Sequence, residues 1–247
     1  MSATAVTIGK RFCGFPDAAL GGYVCGLLAD ALDVKEADSW LRAPVPLETP
    51  LEIAVEDGRA VLRDEETLLA EAVPSELELD APQAVGFEQA QEATKSFPGF
   101  ESHLYPGCFG CGTEPAEGEG LRLFPGRLDG GAAMAAPWTP PSDLVEGADQ
   151  IPRELVWSAF DCPQLWSLIR WEETGEDEAW VTGQMSARLD RPIVIGQPHV
   201  VVSWPIDREG RKLFAGAAIF TADGELCALS RQTAILVSGG GDSLSKL

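Results

Sequence analysis

The feature that most constrains this chain of 247 residues is an internal repeat. The segments LRAPVPLETPLEIAV and LDRPIVIGQPHVVVS superimpose at a constant offset, with Pro44 and Pro50 falling on Pro192 and Pro198. Leu41 falls on Leu189, Val45 on Ile193 and Leu47 on Ile195. Each copy follows an apolar, helix-like segment and precedes a strand, turn, strand pattern. Chance can produce one such match but not easily the same order of elements around it, so the sequence reads as a duplicated helix-plus-sheet unit.

In the first copy, ALGGYVCGLLADAL places Leu20, Tyr23, Val24, Leu27, Leu28, Ala31 and Leu32 at helical spacing. Gly22 and Gly26 each weaken a helix by about 1 kcal/mol, which is tolerable where another backbone must approach that face closely. The β-type runs SWLRAPVPL, PLEIAVEDG, RAVLRD and TLLAEAV follow, and Asp57-Gly58 suits a tight hairpin. Residues 74–107 lose periodicity and read as a connection, with a short helix near Phe87 to Thr94.

The pattern resumes with a strand-like LRLFP and with GAAMAAPW. IPRELVWSAFDCPQLWSLIRW then reads as a second helix, apolar nearly all round, with Pro152 in its first turn and Pro163 expected to kink or end it. A helix of that kind has to be covered on most sides, as a curled sheet would do. Four strand runs complete the copy, with Asp223-Gly224 at a hairpin. The expected organisation is a first unit over 1–80, a linker over 81–107, a second unit over 108–238 and a disordered tail over 239–247.

The charge narrows the partners. A net −21, from 39 acidic against 18 basic residues, repels phosphate backbones and anionic lipid, so nucleic acid is not expected. No run of eighteen apolar residues occurs and the N-terminus lacks the apolar stretch of a signal peptide, so neither membrane insertion nor export is expected and the location is read as cytoplasmic. The six cysteines fit reduced thiols. Cys108 and Cys111 form a C-x-x-C pair, but zinc would need two further ligands and His103 is the only one nearby. No metal is therefore expected, and the pair reads as a Gly-rich turn leading into an LRLF strand. His199 reads as a packed or surface histidine. No Ser-His-Asp elbow, phosphate loop or dinucleotide fingerprint is present.

Two copies of helix-then-meander, with Gly21-Gly22 opening the first helix and LRAPVP and LDRPIV read as strands after the helices, resemble the hotdog superfamily over nearly the whole chain. The resemblance implies an α+β tandem double hotdog, each unit an antiparallel sheet wrapped around a long central helix. The second copy, from CFGCG through GLRLF to LDRPIVIG, is similar to single-unit thioesterases of the phenylacetate-pathway type, in which an Asp late in the helix is the catalytic carboxylate. The pairing is similar to the acyl-CoA thioesterase II family, whose Asp, Thr and Gln site falls here on Asp161, Thr182 and Gln232. The sequence also departs from these patterns. Pro152-Arg153-Glu154 replaces the His-Gly-Gly that opens the helix in many single-unit thioesterases. Tyr23 replaces the Gln after Gly-Gly, and Ala29 stands where a first-unit carboxylate would be, so only the second unit looks equipped for chemistry.

From the residues themselves, Asp161 shares a helix side with Trp157, Leu165 and Leu168, where a carboxylate should have a raised pKa. The alternative is a satisfied structural acid, or one at an exposed edge with Ser158 and Gln164. Strict alternation groups Thr182 with Trp180, Gln184, Ser186 and Arg188, and Gln232 with Ala228, Ser230 and Ala234. An ordinary solvent-facing Thr and Gln would fit the same pattern.

The expected function is cofactor-free hydrolysis of an acyl-CoA or related thioester, with Asp161 as general base or nucleophile and Thr182 and Gln232 orienting the water. Amides near Glu154 and Leu155 would hold the oxyanion, Trp157 and Phe160 would line the acyl channel, and Arg153, Arg188 and Arg231 would meet the CoA phosphates. Those arginines would have to overcome the general negative charge. The alternative is a non-catalytic acyl or small-ligand binding protein on the same scaffold. Two fused units can supply the pairing that single units obtain by dimerising, or can associate further as a homo-oligomer.

Overall fold

The structure, a computed structural model, describes residues 3–171 and 178–238. The expected tail 239–247 lies outside them. The first part of the chain comprises β1 (Ala3–Thr7), β2 (Cys13–Phe15), β3 (Ala18–Ala19), α1 (Gly21–Leu32), β4 (Glu36–Leu41), β5 (Pro50–Glu56), β6 (Arg59–Asp64) and β7 (Thr67–Pro74). Then come α2 (Phe87–Thr94), β8 (Gly126–Arg127), β9 (Met134–Trp138), α3 (Arg153–Trp171), β10 (Glu178–Leu189), β11 (His199–Glu209), β12 (Lys212–Thr221) and β13 (Leu226–Ser238).

Eleven strands form one antiparallel sheet in the order β1-β5-β6-β7-β4-β10-β13-β12-β11-β9-β8. Strands before residue 75 occupy one end and those after residue 125 the other, meeting where β4 pairs with β10. The turn between β5 and β6 has both Asp57 (φ 50°) and Gly58 (φ 78°) left-handed, as a two-residue hairpin that follows the strand twist requires.

Two sequence expectations are corrected here. LRAPVP and LDRPIV are not strands: β4 stops at Leu41 and β10 at Leu189, and the chain re-enters the sheet at Pro50 and His199. Prolines at 44, 46 and 192 offer no N–H to a ladder, so the repeat marks matching strand, loop, strand junctions. LRLF is not a strand either. Its backbone bonds instead to the cysteine turn, Leu121 N–H to Phe109 O at 2.8 Å and Leu123 N–H to Gly110 O at 3.0 Å.

Helix α1 runs for 12 residues and ends at Asp33, whose left-handed φ of 52° breaks the helical path. Helix α3 runs for 19 residues and continues through Pro163 instead of ending there. The two helices pack on each other with Gly22 and Gly26 at the contact. A Cβ at Gly22 would stand 2.6 Å from Trp157 O, and one at Gly26 2.4 Å from the Glu154 Cα. The glycines that weaken α1 are thus what lets its backbone touch α3. Helix α1 also covers β4, β6 and β7, while α3 lies over β11 and β12. No helix among the described residues is long and apolar enough to cross a membrane.

Candidate active site

Asp161 sits midway along α3 and is buried, with 1% of its surface exposed. Taking a carboxylate out of water is costly unless donors replace the solvent. Three do so here. Thr182 Oγ1 donates to Asp161 Oδ1 at 2.6 Å, Gln232 Nε2 donates to the same oxygen at 2.7 Å, and the Gly22 backbone N–H donates to Oδ2 at 2.7 Å. Gln232 Nε2 also donates to Thr182 Oγ1 at 2.9 Å. This fixes the Gln232 amide, because flipping it would set Oε1 against the carboxylate.

Burial pushes the Asp161 pKa up, the hydrogen bonds from Thr182, Gly22 and Gln232 pull it back, and the balance is a carboxyl above its ordinary value. A carboxyl of raised pKa binds a proton more firmly than an ordinary one.

The triangle depends on a β-bulge. Across β10 and β13, Thr182 pairs with Ala234 but Gln184 pairs with Thr233, so Gly183 is an extra residue. That insertion reverses the alternation. Thr182 therefore faces α3 with Met185 and Ala187, which pair with Gln232 and Ser230, and not with Gln184, as strict period-two counting had it. A Cβ at Gly183 would stand 2.7 Å from Ile235 Cγ1, so any side chain at the bulge would have to displace Ile235.

Asp161 and Thr182 form part of the wall of a cavity of about 570 Å³, whose other lining includes Leu41, Ala43, Leu165 and Trp166. The lining is mostly apolar. Gly21 lets the wall close on the carboxylate, since a Cβ there would lie 3.2 Å from Asp161 Oδ2 and 2.9 Å from Leu41 Cδ1.

Several expected site residues are elsewhere. Trp157 and Phe160 are in the apolar core at 1% and 0% exposure and do not line the cavity. From Asp161 the helix turns Leu165, Trp166 and Ile169 toward the cavity and these two away from it. Arg153 is engaged with Val34 O and Asp30, Arg188 with Asp190, and Arg231 lies over the Phe214 ring; none of the three is on the cavity wall. The arginine on the wall is Arg42, which the sequence reading missed and which is paired with Glu71. The helix-start amide beside the carboxylate is Gly22 of α1, not Glu154 or Leu155 of α3. It comes from the other half of the chain, where Gly21-Gly22 was the visible signal.

A second group of side chains adjoins the cavity. The thiols of Cys108, Cys111 and Cys162 lie within 4.8 Å of one another, all buried. Cys162 follows Asp161 on α3, so the two groups share one turn of helix. His199, by contrast, is packed at 2% exposure with its Nδ1 against Gln197 O.

No family model and no curated protein sequence matches the chain. Its fold is nevertheless shared with solved hotdog proteins. A hotdog-fold protein of unknown function from Alicyclobacillus acidocaldarius is 9% identical, with a TM-score of 0.60 over 96% of this chain and 93% of that one. More particularly, the fold is that of thioesterase II proteins. An acyl-CoA thioesterase II from Mycobacterium marinum is 13% identical, with a TM-score of 0.60 over 97% of this chain and 94% of that one. A tesB protein from Mycobacterium avium subs paratuberculosis is 12% identical, with a TM-score of 0.58 over 89% and 87%. At these identities the likeness is one of fold.

Proposed function

We propose that the chain hydrolyses a thioester, an acyl-CoA foremost, with water activated by Asp161. The observation that carries this reading is a buried carboxylate, held by three donors, at the wall of an apolar cavity large enough for an acyl chain. The Asp161 Oδ1 lone pairs are taken by Thr182 and Gln232, which leaves Oδ2, beside Gly21 and Gly22, as the oxygen that takes the proton from water. The Gly22 N–H is already given to Asp161 Oδ2, so the thioester oxygen, as it gains charge, is stabilised by the positive end of α1 as a whole and not by that amide. Thr182 and Gln232 then act on the carboxylate directly by fixing its plane.

In the same reading the chain is a tandem double hotdog, with units over 1–80 and 108–238 joined by 81–107. The first unit supplies the α1 amide and the second the Asp161, Thr182 and Gln232 side chains. The six free cysteines suit a reducing setting such as the cytoplasm.

The test is a panel of acyl-CoA esters of graded chain length, with release of free thiol followed continuously. Turnover that saturates with medium or long chains is the expected result. Saturable acyl-CoA binding with no thiol released from any ester would favour the binding-protein alternative.

A further inference from the structure

We propose that Cys108, Cys111 and Cys162 form a three-thiolate site for a thiophilic divalent cation, zinc foremost, with its fourth coordination position open to the cavity beside Asp161. This site stands apart from the hydrolytic reading, because its test measures metal and not turnover.

The spacing of the sulfurs is the first argument. A zinc ion with Zn–S bonds of about 2.3 Å in a tetrahedron sets its sulfurs about 3.8 Å apart. The Cys108 and Cys162 sulfurs are 3.6 Å apart, and the third lies within 4.8 Å of both. Small side-chain rotations close the remaining gap.

The backbone around the trio is built for this approach. Gly112 N–H donates to Cys108 O at 2.8 Å and closes the C-x-x-C turn. A Cβ at Gly112 would lie 2.4 Å from that same oxygen, and one at Gly110 2.6 Å from the Cys162 sulfur. Gly112 is therefore needed for the turn to close on itself, and Gly110 to bring it down onto α3. The turn is tied to the first half as well, through Phe109 N–H to Cys13 O at 2.8 Å.

Donors aimed at the sulfurs are the second argument. Trp166 Nε1–H donates to the Cys111 sulfur at 3.3 Å, from the same helix that carries Cys162. Neutral thiols packed as small hydrophobes need no such donors, whereas metal-bound thiolates are commonly held by them.

His103 completes the surroundings but is not a ligand. Tyr105 N–H donates to His103 Nδ1 at 3.0 Å, so in the neutral ring the proton is on Nε2. That nitrogen faces Cys111 O at 3.1 Å and the Cys111 sulfur at 3.3 Å, as a donor would. Three protein ligands and one open position make the kind of site that accepts water or a small exogenous thiolate. The trio lines the same cavity as Asp161, so the open position faces whatever enters it. Binding releases the thiol protons to solvent.

The experiment uses the full chain, purified reduced and without chelator. Zinc is measured by mass spectrometry, and the stripped protein is then titrated with cobalt(II). The expected result is a single equivalent of metal and a near-ultraviolet thiolate-to-cobalt absorption band that saturates at that ratio. Replacing an outer partner of a metal ligand commonly weakens binding by about 10–100-fold, so loss of a ligand itself in C108S, C111S or C162S should weaken it by more. His103→Ala should keep the band and the stoichiometry, and Cys227→Ser should leave both untouched. Absence of the band in folded, reduced wild-type protein would overturn the site. An undiminished band in Cys162→Ser, or its disappearance in His103→Ala, would overturn the ligand set.

Discussion

The backbone N–H of Gly22 meets Asp161 Oδ2 at 2.7 Å across 139 residues of sequence. That bond links the two halves of the chain at the Asp161 carboxylate, and it exists only because α1 opens without side chains. Gly22→Ala is predicted to push α1 off α3, since its Cβ would lie 2.6 Å from Trp157 O. The cost in stability should be about 1–3 kcal/mol, as for other overpacked contacts, and thiol-release activity should fall with it. Urea unfolding and thioesterase assays on the same preparation check both.

Thr182→Val removes the hydroxyl that donates to Asp161 Oδ1 while keeping the shape of the side chain. A hydrogen bond to a charged group is worth about 1.5–3 kcal/mol. The turnover efficiency, kcat/KM, should therefore drop by about 10–100-fold. Gln232→Leu should fall in the same range, and because the two donors share one acceptor the double variant should lose less than the product of the two effects.

Gly183→Ala separates geometry from stability. The added methyl meets Ile235 on the neighbouring strand and disfavours the bulge, so Thr182 should turn away from Asp161. Activity should decrease far more than the melting temperature does. Equal proportional losses in the two would remove the bulge from the account.

The acidic limb of stability should report on Glu71. Its side chain is buried; burial pushes the pKa up, but hydrogen bonds from Arg42 and Arg59 outweigh this and hold it below the usual carboxylate range. The folded value lies below the unfolded one of about 4.3. The group therefore contributes stability above that unfolded value and loses it as pH falls through the folded one. Comparing urea midpoints of wild type and Glu71→Gln across pH 3 to 7, the difference should be largest near neutrality and shrink in acid.

Asp161, Thr182 and Gln232 were singled out as a set by the resemblance to thioesterase II proteins, while the residues alone left each with an ordinary reading. What neither could show was how Thr182 comes to face α3. Period-two counting fails at Gly183, and a bulge leaves no periodic trace in a single sequence. Arg153, Arg188 and Arg231 were attractive only as positive charges, and the partners that occupy them lie on other elements. Trp157 and Phe160 are apolar on a helix apolar nearly all round, so periodicity gave no way to tell the core side from the cavity side. Cys162 joins Cys108 from 54 residues further along, a distance at which no ligand-spacing pattern would have paired them.

The central claim is that the Asp161 carboxylate takes the proton from the attacking water. The most direct measurement compares single-turnover thiol release from an acyl-CoA by wild type and by Asp161→Asn, with near-ultraviolet circular dichroism establishing that both are folded. The account predicts that the variant binds the ester but reacts about 10²–10⁴-fold more slowly, the range of general-base catalysis. A folded Asp161→Asn protein that releases thiol at the wild-type rate would contradict it.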